Sequence, residues 1–306
     1  MGKSVIQGKR SVKGFEASRI RIGYLFLIPA IILCAIFVVI PLINIVIYSF
    51  YEWDGIGEKT FVAFENYAKL PDTEGFWQMA LATVSFAFGT TILTVFIGFI
   101  VALALDSKNR TMISRPLYRM LWFFPCILSG SVVGILWRIM YTYTNGMINV
   151  VLKSIGLKPV NWLETYGLTN IATIVAAVWS QAGLVIVIFL AGLQSISQEL
   201  YEAAAIDGAN AGQIRRSIIL PMMAPSITIN VLTTSISAFK MYELPWLISK
   251  GLPGYSTRLI TERIYFFGME ARKFGMGSAM AVLLILVITA ISLLQLVVLR
   301  KREDIY

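Results

Sequence analysis

The sequence predicts an all-α, polytopic membrane protein with six transmembrane helices, and three observations carry that reading. Of its 306 residues 57% are hydrophobic and only 14% charged, whereas a soluble domain carries about 25% charged residues. The apolar residues gather into six runs of about 20 or more, the length that crosses a bilayer as a helix. The net charge of +9 is concentrated in short segments between alternate runs. That pattern is a topology signal and argues against a nucleic-acid surface.

The first run, Gly23 to Tyr51, is too long for a signal-peptide core, and no small-residue cleavage site follows it. The others extend from Trp77 to Leu105, Tyr118 to Tyr141, Asn170 to Gly192, Ile219 to Phe239 and Gly275 to Leu299. Trp53, Trp77, Trp122, Trp137 and Trp246 fall near predicted span ends, where interfacial tryptophans gather. Cys34 and Cys126 lie in apolar runs and read as small buried hydrophobes, giving neither a disulfide framework nor a metal site.

Lysine and arginine in short flanking segments mark the cytoplasmic side. Residues 1–22 form a basic tail with Lys3, Lys9, Arg10, Lys13, Arg19 and Arg21 against Glu16. Loop 106–117 holds Lys108, Arg110 and Arg115, and the C-terminus holds Arg300, Lys301 and Arg302. These three segments are expected to share the cytoplasmic side, so both termini are cytoplasmic. Loop 52–76 is acidic and is expected outside. The segment Lys240 to Lys273 fits less well: it is also expected outside, yet Lys240, Lys250, Arg258, Arg263, Arg272 and Lys273 outnumber its three glutamates. The expected organisation is a tail (1–22), a first helix (23–51) and a core (77–300) that contains a cytoplasmic loop at 195–221.

Several chemistries are excluded. The chain has no histidine, which removes the commonest general base and metal ligand. No carboxylate pair or nucleophile–base set marks a catalytic site. Away from span edges the charged intramembrane residue is Arg138, one turn from the end of the third span, where it could snorkel to the interface. An ion-coupled carrier normally keeps ionisable groups inside the membrane. Thr90, Thr91 and Thr94 are expected to satisfy one another or nearby backbone. Residues 55–60, GIGEKT, look superficially like a phosphate loop. Such a loop needs glycine directly before the lysine and again five residues earlier, but Glu58 and Trp53 stand there.

The most informative stretch is EAAAIDGAN at 202–210. Ser195 and Gln198 have capping-box spacing, so a helix is expected from there to Ile206, with Ala203, Ala204 and Ala205 as strong helix formers. Gly208 ends it, and Asn210 with Gln213 opens a second helix at a new angle. Glu199 and Glu202 share one face with Ile206. The bland reading is a helix resting on the membrane surface. The alternative is a docking surface for a partner, favoured by the acidic, small-residue face that an anionic leaflet repels.

Glu202-Ala203-Ala204, then Asp207-Gly208-Ala209, then Ile218, Leu220 and Pro221 resemble the EAA signature of binding-protein-dependent ABC importer permeases. PLINIVIYSFYEW at 41–53 and FVAFENY at 61–67 resemble the carbohydrate branch, of maltose and multiple-sugar type. The resemblance implies the type I ABC importer permease fold in a bacterial or archaeal inner membrane. It implies a second permease subunit, a cytoplasmic ATPase dimer that binds the ATP, an extracytoplasmic solute-binding protein and a sugar substrate. No cofactor is expected in this chain. Glu202 is implied as a polar contact with the ATPase, Ala203 and Ala204 as a close-packing surface, and Asp207-Gly208 as the elbow. Departures are Arg215 where relatives carry an aromatic, Gly212 where tryptophan is common, and SKGLPGYST at 249–257 in place of a TGGP-like run. Loop 52–76 is too short for the extra periplasmic domain of some maltose-type permeases.

Sugar sites combine aromatic platforms with hydrogen-bonding groups in polar or discontinuous spans. Trp179 with Gln181, and Tyr242 with Glu243, offer that pairing, although packing or interface anchoring would explain the same residues. A glycerol phosphate or other small-solute permease is the alternative, with Arg138 as its nameable cation. An ion-coupled carrier is more remote.

Overall fold

The computed structural model describes residues 24–106, 114–255 and 257–303. The basic residues at 1–22, and Lys108 and Arg110, therefore lie outside the described residues. Helix α1 (Tyr24–Tyr48) is followed by a two-strand hairpin, β1 (Tyr51–Glu52) antiparallel to β2 (Thr60–Phe61), and by the short α2 (Glu65–Lys69). The long α3 (Phe76–Asp106) and α7 (Leu168–Gln194) flank α4 (Ser114–Ile127), α5 (Gly130–Met140) and the short α6 (Met147–Ser154). Then come α8 (Gln198–Ile206), α9 (Ala211–Met222) and α10 (Ala224–Phe239). Helices α11 (Glu243–Ser249), α12 (Ile260–Tyr265) and α13 (Phe274–Glu303) complete the order.

Among the described residues four helices (α1, α3, α7 and α13) are long and apolar enough to cross a membrane singly, and two bent pairs, each taken as one span, bring the number to six. With 31 residues, α3 is about 46 Å long, well over the roughly 30 Å of hydrocarbon. Helix α3 packs along α7, α10 packs on α3, α4 crosses α7, and α13 joins α10 to α1. The spans alternate in direction. The start of α1, the end of α3, the α8–α9 segment and the end of α13 therefore share one face.

The third and fifth spans are not the continuous helices the hydropathy suggests. The third is two helices meeting at 108°. Pro125 cannot donate to the carbonyl four residues back, and its ring crowds that carbonyl. Extended Ser129 then caps α5 afresh, its Oγ accepting from Val132 N at 3.3 Å. The fifth bends by 60° between α9 and α10, at Met223 between Pro221 and Pro225. A π-turn at Arg215–Ile219 precedes Pro221 and another at Ala35–Val39 precedes Pro41. In both, the helix widens where proline withholds its donor.

Arg138 is half-buried, and its Nη1 donates to Leu247 O at 3.4 Å, a carbonyl in the negative last turn of α11. Three smaller expectations are corrected. Cys34 is exposed on the outer face of α1, because the first span packs through its other end. Trp137 is packed against Trp179, rings 5.8 Å apart and nearly perpendicular, so it is a core residue. Of the threonines, Thr91 Oγ1 donates to Ala87 O at 2.7 Å, while the buried hydroxyls of Thr90 and Thr94 bond to nothing in this chain.

The phosphate-loop lookalike is the tip of the β1–β2 hairpin. Asp54 Oδ1 accepts from Ile56 N at 2.9 Å and Gly57 N at 2.8 Å. These two donors hold the exposed Asp54 carboxyl below its ordinary value. The loop's N–H groups already serve a carboxylate, so they form no cradle for phosphate.

Close packing needs Gly183. A Cβ there would sit 2.6 Å from Trp122 O and 2.9 Å from Phe123 Cα, in the backbone of α4 beside its break. Gly183→Val is expected to destabilise the protein by about 1–3 kcal/mol, read as a lower melting temperature in detergent. Buried Asn149 organises the segment after α6: its Nδ2 donates to Val160 O at 2.9 Å, and its Oδ1 accepts from Val160 N at 2.9 Å and Trp162 Nε1 at 3.2 Å. Asn149→Leu leaves those backbone groups unpaired and is expected to cost about 1–3 kcal/mol by the same measurement.

Candidate functional site

The α8–α9 segment is built from local bonds. The helix starts two residues later than the capping pattern suggested: Ser195 ends α7, and Ser197 is the cap, its Oγ accepting from Glu199 N at 3.2 Å. Ser195 N is already committed to Ala191 O and Gly192 O, so Ser195 cannot open a new helix. Glu199 lies in the first turn, where the helix dipole favours a negative charge.

At the other end, Gly208 N donates to Ala205 O at 3.2 Å and Ala209 N to Ala204 O at 2.9 Å. This pair of bonds is the Schellman closure, which requires a left-handed residue; Gly208 supplies it with φ +74°. Asn210 then starts α9 with a full capping box. Its Oδ1 accepts from Gly212 N and Gln213 N at 3.0 Å each, and its own N donates to Gln213 Oε1 at 2.8 Å.

The elbow has a rooted side and a free side. Ile196 and Met223 are buried, with Tyr201, Ile218 and Ile219 packed on the same cluster at the ends of α3 and α7. Burial first, and the nearby charge of Asp106 second, push the Tyr201 phenol above its ordinary value. On the other side Glu202, Ala203, Asp207 and Gly208 are exposed, Ala204 is half-buried, and Ile206 is 87% exposed. The chain thus holds out an acidic, small-residue surface with one apolar tip, braced from behind.

A second feature lies inside the bundle. A cavity of about 310 Å³ is lined by Cys126 at the α4 break, Ser180, Gln181, Leu184, Val185 and Ile188 on α7, Asn230, Thr233, Thr234 and Ser237 on α10, and Met241. The α10 positions are spaced three and four apart and so occupy one helix face. Gln181 Nε2 and Asn230 Oδ1 are buried without partners, and Asn230 Nδ2 donates to Val185 O at 3.4 Å. The lining sets hydroxyls and amides of both hydrogen-bonding senses beside apolar Leu184, Val185, Ile188 and Met241, and carries no charge.

The sequence-predicted pairs divide. Gln181 lines this cavity, but Trp179 packs into the core against Trp137. Adjacent positions on a helix point about 100° apart, and two positions still fall on different faces. Tyr242 and Glu243 start α11, on the side of the bundle opposite the elbow. Tyr242 stacks on Tyr265 at 5.0 Å, and Glu243 Oε2 accepts from Ser131 Oγ at 2.8 Å, tying α11 to α5. Asn230, Thr233, Thr234 and Ser237 escaped the sequence reading, although their period was visible in it.

Glu262 was also missed. It lies on α12, beside Arg258, Arg263 and Glu270, and burial raises its carboxyl from 4.5 to about 8. A pKa raised on folding means the folded state holds a proton that the unfolded state releases. Stability from this group is therefore complete below about pH 4.5 and is lost as pH rises through about 8. Thermal unfolding of Glu262→Gln is expected to show a flatter pH dependence across that window than the parent protein.

Comparison with known proteins accords with these features. The family described as "Binding-protein-dependent transport system inner membrane component" matches residues 94–304. A trehalose/maltose transport system permease protein, MalF of Thermococcus litoralis, is 31% identical over 286 residues, covering 93% of this chain and 95% of that one. A probable starch degradation products transport system permease, AmyD of Thermoanaerobacterium thermosulfurigenes, is 30% identical over 280 residues, covering 92% and 94%. In fold, the chain matches one from a bacterial ABC transporter that imports the acidic polysaccharide alginate. The TM-score is 0.83 at 22% identity, over 94% of this chain and 97% of that one. With six spans, an exposed elbow between the fourth and fifth, and a match over more than two thirds of its length, the chain belongs to the family of inner membrane components of binding-protein-dependent transport systems.

Proposed function

We propose that this permease subunit carries an uncharged sugar or oligosaccharide, and that the observation carrying this is the uncharged cavity between α7, α10 and the α4 break. Hydroxyl-rich solutes donate and accept at every position. A lining of Ser180, Gln181, Asn230, Thr233, Thr234 and Ser237 can match them without the desolvation cost of a charge. The names of the relatives, which include maltose, starch-product and multiple-sugar permeases, support the same class. A phosphate cargo finds no cation in that lining, and Arg138 is occupied with α11.

Power enters at the elbow. Glu202, Ala203, Ala204, Asp207 and Gly208 form the surface that an ATPase subunit grips, with Glu202 as a polar contact and the alanines allowing close approach. Nucleotide stays on the ATPase pair. A second permease subunit completes the translocation path, and a solute-binding protein delivers sugar to the face opposite the elbow. The elbow face is cytoplasmic, in a cell membrane.

The test is uptake of labelled maltotriose into proteoliposomes containing the complete complex and its binding protein. Uptake is expected only with ATP inside the ATPase compartment. Proton-driven uptake by this chain alone would overturn the reading.

A further inference from the structure

A second cavity, of about 190 Å³, lies between α11, α12 and the start of α3, on the face opposite the elbow; Tyr242, Trp246, Arg258, Glu262, Arg263 and Tyr265 line it, with Glu270. Glu262 is only 5% exposed, yet neither of its carboxyl oxygens has a hydrogen-bond partner. Arg258 Nε and Arg263 Nε are likewise buried and unpaired. Buried polar groups are normally satisfied, and each orphan costs about 1–3 kcal/mol. All four atoms belong to side chains that line this one cavity.

The surrounding structure holds these groups in place. Ile260 N, at the start of α12, donates to Thr83 Oγ1 on α3 at 2.9 Å. The Arg263 guanidinium lies over the rings of Phe266 and Phe267 at 4.8 and 4.7 Å, and that of Arg258 over Tyr255 at 5.4 Å. Aromatic faces thus hold the two guanidiniums beside the cavity. Tyr242 and Tyr265, stacked at 5.0 Å with planes 26° apart, form a flat wall with Trp246 beside them.

The mixed lining selects the ligand class. Burial keeps the Glu262 carboxyl protonated at neutral pH, so the charges facing the space are two guanidiniums and Glu270: an anion meets Glu270, and a cation meets both arginines. A ring of hydroxyls exchanges hydrogen bonds with the protonated Glu262 carboxyl and accepts from both guanidiniums at once, while its apolar C–H face lies on aromatic rings. The volume is below the range of about 300–1,000 Å³ for larger ligands, so it suits one ring. We propose that this cavity is an outer subsite that takes a single uncharged pyranose unit of the cargo before it reaches the intramembrane path. This deepens, and rests on, the sugar-import reading.

The test uses the full-length chain in nanodiscs and saturation-transfer NMR with the methyl α-glycosides of glucose, galactose and mannose. Glucosamine and glucose 1-phosphate serve as charged probes. At least one neutral glycoside is expected to bind saturably, and its apparent affinity to fall at least tenfold in Glu262→Leu and in Arg258→Met. The exposed-surface control Glu65→Gln is expected to bind as the parent does. Glu262→Leu removes an unpaired buried carboxyl group, so its melting temperature is expected to hold or rise, which separates lost binding from lost folding. No saturable signal, a signal surviving both substitutions, or preference for a charged probe would overturn the subsite and leave the cavity to water. Maltotriose uptake by the complete native complex is scored separately. Uptake without glycoside binding sinks only the subsite, whereas absence of sugar uptake sinks the reading beneath it.

Discussion

Gly208→Arg is expected to abolish ATP-driven uptake by the assembled transporter while leaving the membrane bundle folded. The backbone there is left-handed, at φ +74°, and the space around an added Cβ is empty. The penalty is therefore conformational, about 1–2 kcal/mol for a residue with an ordinary Cβ, and not a clash within this chain. The Schellman bonds to Ala204 and Ala205 are what that strain opposes, and a bulky cation also stands on the surface proposed for the ATPase. A graded series makes the prediction specific. Gly208→Asn, which tolerates the left-handed region, is expected to keep most uptake. Gly208→Ala should lose an intermediate share, and Gly208→Arg should lose both uptake and copurification of the ATPase. Native uptake in Gly208→Arg would show that the elbow is not the coupling surface.

Filling the intramembrane cavity should give the second large effect, with a different signature. Ser237 is exposed to the cavity from α10, so Ser237→Trp is expected to occupy the space without entering packed core. Uptake should fall at least tenfold, about 1.4 kcal/mol in apparent transport free energy, while ATP hydrolysis and ATPase association persist. Ser237→Ala, which removes one hydroxyl among several, is expected to cost less. If Ser237→Trp transports normally, the cargo takes another route. The two predictions separate mechanically: one breaks the handle and spares the path, the other plugs the path and spares the handle.

Comparison of particular elements shows what was legible in the sequence. The elbow was, almost residue by residue, because its bonds join groups at most five positions apart: Asn210 with Gln213, Gly208 with Ala205, Ala209 with Ala204. The error was of the same local kind. Two serines, Ser195 and Ser197, could both cap, and the one whose N–H the preceding helix had not claimed did so. The spans were legible as apolar length, but their breaks were not. Pro125 and Pro225 were visible, yet how far a proline bends a helix depends on what receives the two halves. Here α5 is received by α11 and α10 by α3.

The polar sites show the same limit more sharply. Gln181 and Asn230 are about fifty positions apart and share a cavity, whereas Trp179 and Gln181 are two apart and do not. Glu262 looked like one acid in a basic loop, and only packing of α12 against α13 and α3 made it a buried, unpaired carboxyl group.

By itself the sequence determined that this chain is a six-span membrane protein and where the loop between its fourth and fifth spans turns. Hydropathy, caps and left-handed glycines act over a turn or two of chain, and such terms are written in neighbouring residues. The tertiary structure alone decided which side chains face a common space and which are left without partners. A cavity is a place where distant helices fail to touch, and that depends on crossing angles and close approaches, such as α4 over Gly183, that no single segment encodes.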